Sequence, residues 1–151
     1  YKGVRLMNNF EINFSSDLKI GQTVLMKIMD FIKRQIILNE ESYGDLKLIF
    51  SELIFNSIIH GNKMDKEKSI SLKITISESG YIQASIKDEG EGYDYTRLFH
   101  AGSGQDDLFS EHGRGMTLVI ALSDSINFNK SGNEINFSKR VDLAHVQHYS
   151  G

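Results

Sequence analysis

The chain contains no cysteine among its 151 residues. That excludes a disulfide framework and any thiolate metal site, and nothing in it calls for an oxidising compartment. It also contains no proline, so no Pro-rich linker divides it. No apolar run approaches the roughly 20 residues of a membrane span, and no membrane association is expected. The opening residues, Tyr1-Lys2-Gly3-Val4-Arg5, lack the apolar stretch of a signal peptide. These absences together predict a cytoplasmic protein. With Tyr1 in place of an initiating Met, a fragment is expected. Excess positive charge is missing as well: 17 Lys and Arg stand against 20 Asp and Glu, a net charge of −3. Direct nucleic-acid binding would need clustered cations. The nearest such group, Lys63, Lys66 and Lys68, is interleaved with Asp65 and Glu67 and reads as a solvated turn.

What is present is an ordinary globular composition, 40% hydrophobic and 25% charged, in a length suited to one domain. Phe10, Ile12 and Phe14 alternate as a first strand. Ser15, Ser16 and Asp17 are N-cap candidates for a helix over Leu18–Leu38, with Leu25, Ile28, Met29, Ile32 and Ile36 at helical spacing. Asn39-Glu40-Glu41-Ser42 breaks it, and a second helix runs from about Tyr43 to Ile59 on a stripe of Leu46, Ile49, Phe50 and Leu53. Ile70–Ile76 and Ile82–Ile86 are period-2 runs joined by Glu78-Ser79-Gly80. Gly92–Gly113 is a long polar loop carrying one apolar patch, Leu98-Phe99, and a loop of that length suggests a lid or a disordered segment. A short helix over Gly115–Asp124 and a hairpin of Ile126–Phe128 with Ile135–Phe137 complete the pattern. This order predicts an α+β fold: a two-layer α/β sandwich with helices on one face of a mixed, mostly antiparallel sheet of about five strands. Residues 5–140 form the domain and 141–151 a polar tail.

Three short segments carry the chemistry. In Ser51-Glu52-Leu53-Ile54-Phe55-Asn56-Ser57-Ile58-Ile59-His60-Gly61-Asn62, Glu52 and Asn56 share a helix face distinct from the apolar stripe. An amide oxygen is a hard, neutral ligand suited to Mg²⁺ beside phosphates. A neighbouring carboxylate can accept a proton from an attacking hydroxyl. Asp88-Glu89-Gly90-Glu91-Gly92 follows a strand, and its glycines allow positive φ and close backbone approach. An ionised Asp88 accepts hydrogen bonds only, so it can read the exocyclic amine of adenine. Gly113-Arg114-Gly115-Met116 opens a helix, whose N-terminal N–H groups favour phosphate, with Arg114 as an added charge. Each segment alone also reads as a common surface pair, a plain turn or a loop-to-helix junction.

In series, they resemble the GHKL (Bergerat-fold) ATPases, the superfamily of gyrase, Hsp90, MutL and histidine kinases. Glu52-x-x-x-Asn56 matches the N box, Asp88-x-Gly90-x-Gly92 the first glycine box and Gly113-x-Gly115 the second, with the ATP lid between the glycine boxes. Within it, the chain is most similar to the anti-sigma factor serine kinases of bacterial partner-switching systems. The similarity runs from roughly Phe10 to Lys139.

The resemblance implies Glu52 as the base for a substrate serine, Asn56 as the Mg²⁺ ligand and Asp88 as the adenine contact. Gly90, Gly92, Gly113 and Gly115 would shape the phosphate and base pockets. His60 and Gly61 would line the end of the N box, with Arg114 and Met116 at the second glycine box. It implies ATP and Mg²⁺ as cofactors, a STAS-domain anti-sigma factor antagonist and a sigma factor as partners, and a homodimer. One departure concerns the last hairpin, where the family often has Thr after the glycine and this chain has Gly132-Asn133-Glu134. That leaves a secondary base contact open. Two other functions fit the same motifs: a nucleotide-gated binding module without phosphoryl transfer, and a histidine-kinase catalytic domain. The single helix ahead of the N box, where the latter needs a phosphoacceptor hairpin, counts against it. Fusion into a longer regulator is a further alternative.

Overall fold

The computed structural model describes residues 8–92 and 114–141. Strand β1 (Asn8–Ser15) leads into helix α1 (Leu18–Gln35) and helix α2 (Glu40–Asn56). Strands β2 (Ser69–Ile76) and β3 (Tyr81–Lys87) follow, then helix α3 (Arg114–Leu122) and strands β4 (Ser125–Phe128) and β5 (Glu134–Arg140). The sheet order is β1-β2-β3-β5-β4.

The period-2 runs place Ile70, Leu72, Ile74 and Ile76 of β2, Ile82, Ala84 and Ile86 of β3, and Ile135 and Phe137 of β5 in the core. Their neighbours along each strand, among them Lys73, Gln83 and Asn136, are exposed on the opposite face. The helices contribute Val24, Ile28, Met29 and Ile32 from α1, and Leu46, Ile49, Phe50, Leu53 and Ile54 from α2. Phe50 meets Phe137 edge-on, with ring centroids 5.3 Å apart, tying α2 to β5. The expected α+β architecture, helices on one sheet face, is the one found.

Three local details differ from the expectation. All four strand pairings are antiparallel among the described residues, so the mixed element is not found there. Its source is the connection from β3 through α3 and β4, which lets β5 return antiparallel beside β3. Second, the polar run Asn39–Ser42 does not separate the helices by breaking the chain; it starts α2. Asn39 Oδ1 accepts the Ser42 N–H at 2.8 Å, and Glu40 and Glu41 occupy the first turn, where the helix dipole favours acids. Third, α2 ends at Asn56 and continues as a π-helical turn over Ser57–Gly61.

That turn ends in two consecutive non-glycine residues of left-handed backbone, Lys63 at φ 53° and Met64 at φ 60°. Such residues are costly for a side chain to adopt. Lys63 is exposed, so Lys63→Gly removes strain without removing packing. We expect it to raise stability by about 0.5 kcal/mol, net of the entropy that glycine adds to the unfolded chain. The check is a higher urea midpoint at unchanged m-value.

Candidate functional site

Glu52 and Asn56 lie one turn apart on α2, and both are half-buried. The π turn that follows swings the chain toward β3. The Asn62 N–H reaches the Ser57 carbonyl at 2.8 Å and the Met64 N–H reaches that of Ile58 at 2.7 Å, so the backbone stays satisfied while it bends out of α geometry. Gly61 is thereby laid directly on Asp88: a Cβ built on Gly61 would fall within the Asp88 carboxylate. A Cβ on Gly90 would fall on the Gly61 carbonyl, and one on Gly92, at φ 94°, would fall on the Ser131 carbonyl. At the start of α3, a Cβ on Gly115 would fall on the Glu52 carboxylate. The four glycines are therefore contact points between segments, each of a size that only glycine fits.

These contacts join the segments into one place. The end of α2 meets the Asp88 turn through Gly61, that turn meets the β4–β5 hairpin through Gly92, and α3 meets α2 through Gly115 and Glu52. Asp88 is 7% exposed and takes the Gly90 N–H on Oδ1 at 2.8 Å. Burial pushes its carboxyl above the usual range, while the Gly90 N–H and the Lys68 charge pull it partly back. Beside it, the Ser69 N–H and hydroxyl hold the Glu89 carboxyl below the usual range and dock the turn on the start of β2.

Two residues to which sequence reasoning gave no binding role prove central. Asn62 is fully buried: Nδ2 donates to Ser16 Oγ at 2.7 Å and to the Ser69 carbonyl at 3.0 Å, and Oδ1 accepts the Glu89 N–H at 2.7 Å. Asn133, the departure in the last hairpin, donates from Nδ2 to the Asp88 carbonyl at 3.2 Å, and its own carbonyl accepts the Asp88 N–H at 3.0 Å. The available signal for Asn62 was its place directly after the helix-ending His60-Gly61 pair.

The remaining candidates are placed as follows. His60 is half-buried within the π turn. Arg114 is the first residue of α3. Met116 is fully buried with the hydrophobic core. Gly113 and the loop containing Leu98 and Phe99 lie outside the described residues, as does the polar tail beyond Val141. Two clefts of about 320 and 370 Å³ lie elsewhere, one over Lys73, Gln83 and Asn136 on the polar sheet face and one between Lys33, Ile37 and Tyr43; neither is lined by Glu52, Asn56 or Asp88.

The donor chemistry fits a nucleotide and Mg²⁺. A buried carboxylate behind a glycine cradle offers an acceptor to a base amine. A helix start beside a carboxylate and an amide suits phosphates with a hard cation. Among the described residues no three His, Asp or Glu side chains converge. An ion held by one amide, water and phosphate oxygens needs no such cluster.

A family profile for the histidine kinase-like ATPase domain matches residues 14–139. The chain is 28% identical over 110 residues to the serine-protein kinase RsbW of Bacillus subtilis (strain 168), covering 69% of this chain and 68% of that protein. It is 26% identical over 89 residues to the anti-sigma F factor of Priestia megaterium, covering 59% of this chain and 60% of that one. With the serine-protein kinase RsbW of Oceanobacillus iheyensis it shares 30% identity over 95 residues, 59% of each chain. Its fold matches the histidine kinase domain of the Erythrobacter litoralis EL346 blue-light activated histidine kinase with a TM-score of 0.51. At 18% identity, over 80% of this chain and 61% of that one, this is a likeness of fold alone. No described helix is long and apolar enough to cross a membrane.

Proposed function

Because the chain belongs to the histidine kinase-like ATPase domain family, we propose that it is an ATP- and Mg²⁺-dependent protein-serine kinase acting in the cytoplasm as an anti-sigma regulatory factor. The observation that carries this reading is the position of Glu52, whose carboxylate lies against Gly115 at the start of α3 and one helical turn from Asn56. A carboxylate at a phosphate-binding helix start is placed to act on a hydroxyl attacking a phosphoryl group.

In this reading Asp88 accepts from the adenine amine, and the N–H groups around Gly115 meet phosphate oxygens. Asn56 would hold Mg²⁺, which neutralises phosphate charge when bound. Glu52 takes the proton of the substrate serine as its oxygen bonds to the γ-phosphorus and the bond to the departing ADP oxygen breaks. The domain runs over residues 5–140, and its partners are a STAS-domain antagonist, which receives the phosphate, and a sigma factor, which the unphosphorylated antagonist releases. The names of the relatives, serine-protein kinase and anti-sigma F factor, support this assignment. A phosphoserine adds roughly −1.5 to −2 charges, enough to part the antagonist from its kinase. We further infer a homodimer.

The test is to mix the protein with ATP, Mg²⁺ and a STAS-domain antagonist and measure the antagonist's intact mass. A gain of one acid-stable phosphate on serine is expected. A nucleotide-dependent complex with no mass change would overturn the kinase reading in favour of a binding module, and phosphohistidine on a partner would favour a histidine kinase.

A further inference from the structure

Asp88 is held in an unusual way. Its N–H donates to the Asn133 carbonyl at 3.0 Å, its carbonyl accepts from Asn133 Nδ2 at 3.2 Å, and the N–H of the next peptide, that of Glu89, donates to Asn62 Oδ1 at 2.7 Å. Both peptide planes that flank the Asp88 Cα are thus pinned, one asparagine on each side of the turn. The planes are rigid units, so fixing both leaves the Cα–Cβ bond of Asp88 one direction. The asparagines are themselves fixed. Asn62 is fully buried and spends both amide hydrogens on Ser16 Oγ and the Ser69 carbonyl. The Asn133 Oδ1 accepts from Asn129 Nδ2 at 2.7 Å, and Asn129 Oδ1 in turn accepts the N–H groups of Gly132, Asn133 and Glu134.

An ordinary turn after a strand does not need two side chains from separate elements to orient one peptide. The Asp88 carboxylate is hemmed in by Gly61 and tied through Oδ1 to Gly90, so a small rotation of its backbone would drive it into one or off the other. We propose that Asn62 and Asn133 are positioning residues that set purine selectivity by aiming the Asp88 carboxylate, acting through Asp88 and not on the nucleotide. This rests on the reading of Asp88 as the acceptor of a purine amine. It also gives Asn133 a role distinct from the base contact the resemblance associates with threonine.

The experiment compares binding of ATP with that of purine riboside triphosphate, which lacks the exocyclic amine, by calorimetry on the full chain without any turnover. The variants are Asn133→Ala, which keeps the backbone carbonyl and removes only the amide, and Asn62→Asp, which keeps the acceptor for Glu89 and removes both donors. Melting temperatures are recorded for each. In the wild type ATP binds more tightly than the amine-free analogue. In both variants ATP affinity is expected to fall roughly tenfold, the order of one well-aimed hydrogen bond, while affinity for the analogue holds. The selectivity ratio then collapses. If Asn62→Asp does not fold, Asn133→Ala decides alone, because its side chain is only half-buried. Equal loss for both nucleotides, or an unchanged ratio at any melting temperature, overturns the inference and leaves these residues merely structural. A wild type that does not distinguish the two nucleotides overturns the reading of Asp88 itself.

Discussion

Glu52→Gln is expected to leave ATP bound and to reduce phosphoryl transfer by roughly 10²–10⁴-fold, the contribution of a positioned general base. The substitution is close to isosteric, so the contact with Gly115 that sets α3 against α2 survives. What is lost is the ability to take a proton, because an amide oxygen has no useful basicity at neutral pH. Glu52 is half-buried and on the same helix face as Asn56, so the change is confined to the reacting end of the site. The measurements are single-turnover transfer to a STAS-domain antagonist and ATP affinity, made side by side. Transfer at the wild-type rate would remove Glu52 from the mechanism. Loss of ATP binding in equal measure would make it a binding residue. The opposite manipulation, Gly115→Ala, should perturb both, since its Cβ falls on the Glu52 carboxylate and something must move.

The second large effect is at Asp88. Asp88→Asn keeps the size and an oxygen for the Gly90 N–H, but turns the other ligand atom from acceptor to donor. Facing an adenine amine, that donor has no partner, and ATP affinity should fall at least about 100-fold. Stability should move the other way. Burial raises the Asp88 carboxyl above its model value of 3.8, so the ionised form is disfavoured in the folded protein relative to the unfolded one. The stability this group contributes is therefore fully present below the unfolded value and is lost as pH rises through the higher folded value. At neutral pH the wild type carries that loss and the asparagine variant does not. Chemical denaturation of the nucleotide-free protein at neutral pH should find the variant at least as stable as the wild type. Between neutral pH and about pH 3, wild-type stability should gain relative to the variant. A variant clearly less stable at neutral pH would refute this account of Asp88.

The parts of the fold legible in the sequence were those governed by local periodicity. Ile70–Ile76 and Ile82–Ile86 alternate because one face of their strands is buried and the other wet, and that rule needs no knowledge of partners. The glycines of the candidate site were visible because close backbone approach has few other solutions, yet what each approaches was not. That Gly61 lies on Asp88 and Gly115 on Glu52 depends on contacts between segments tens of residues apart. The run Asn39–Ser42 misled for a definite reason: the side chains that interrupt an apolar pattern are also those that cap a helix, and only the Asn39 Oδ1 bond to the Ser42 N–H separates the cases. The π turn left no trace, since Ser57–Gly61 keeps helical composition while changing its hydrogen-bond register. Asn62 and Asn133 were read past for a similar reason. A buried asparagine bonded to backbone and an exposed one are the same letter, and burial here is decided by strands from three parts of the chain.

The π turn has a consequence for how this chain can vary in length. Such a turn holds one residue more than the α turn it replaces. Deleting a single residue anywhere in Ser57–Gly61 would let the helix run on with regular hydrogen bonds, and its local energy could improve. Yet every residue after the deletion would be turned by about 100° around the helix axis and drawn back about 1.5 Å. Gly61 would leave the Asp88 carboxylate, and Asn62 would leave the end of β1. Substitutions at the exposed Ile59 are tolerable, whereas a one-codon deletion beside it is not. In this stretch the spacing between residues is under stricter constraint than most of their identities.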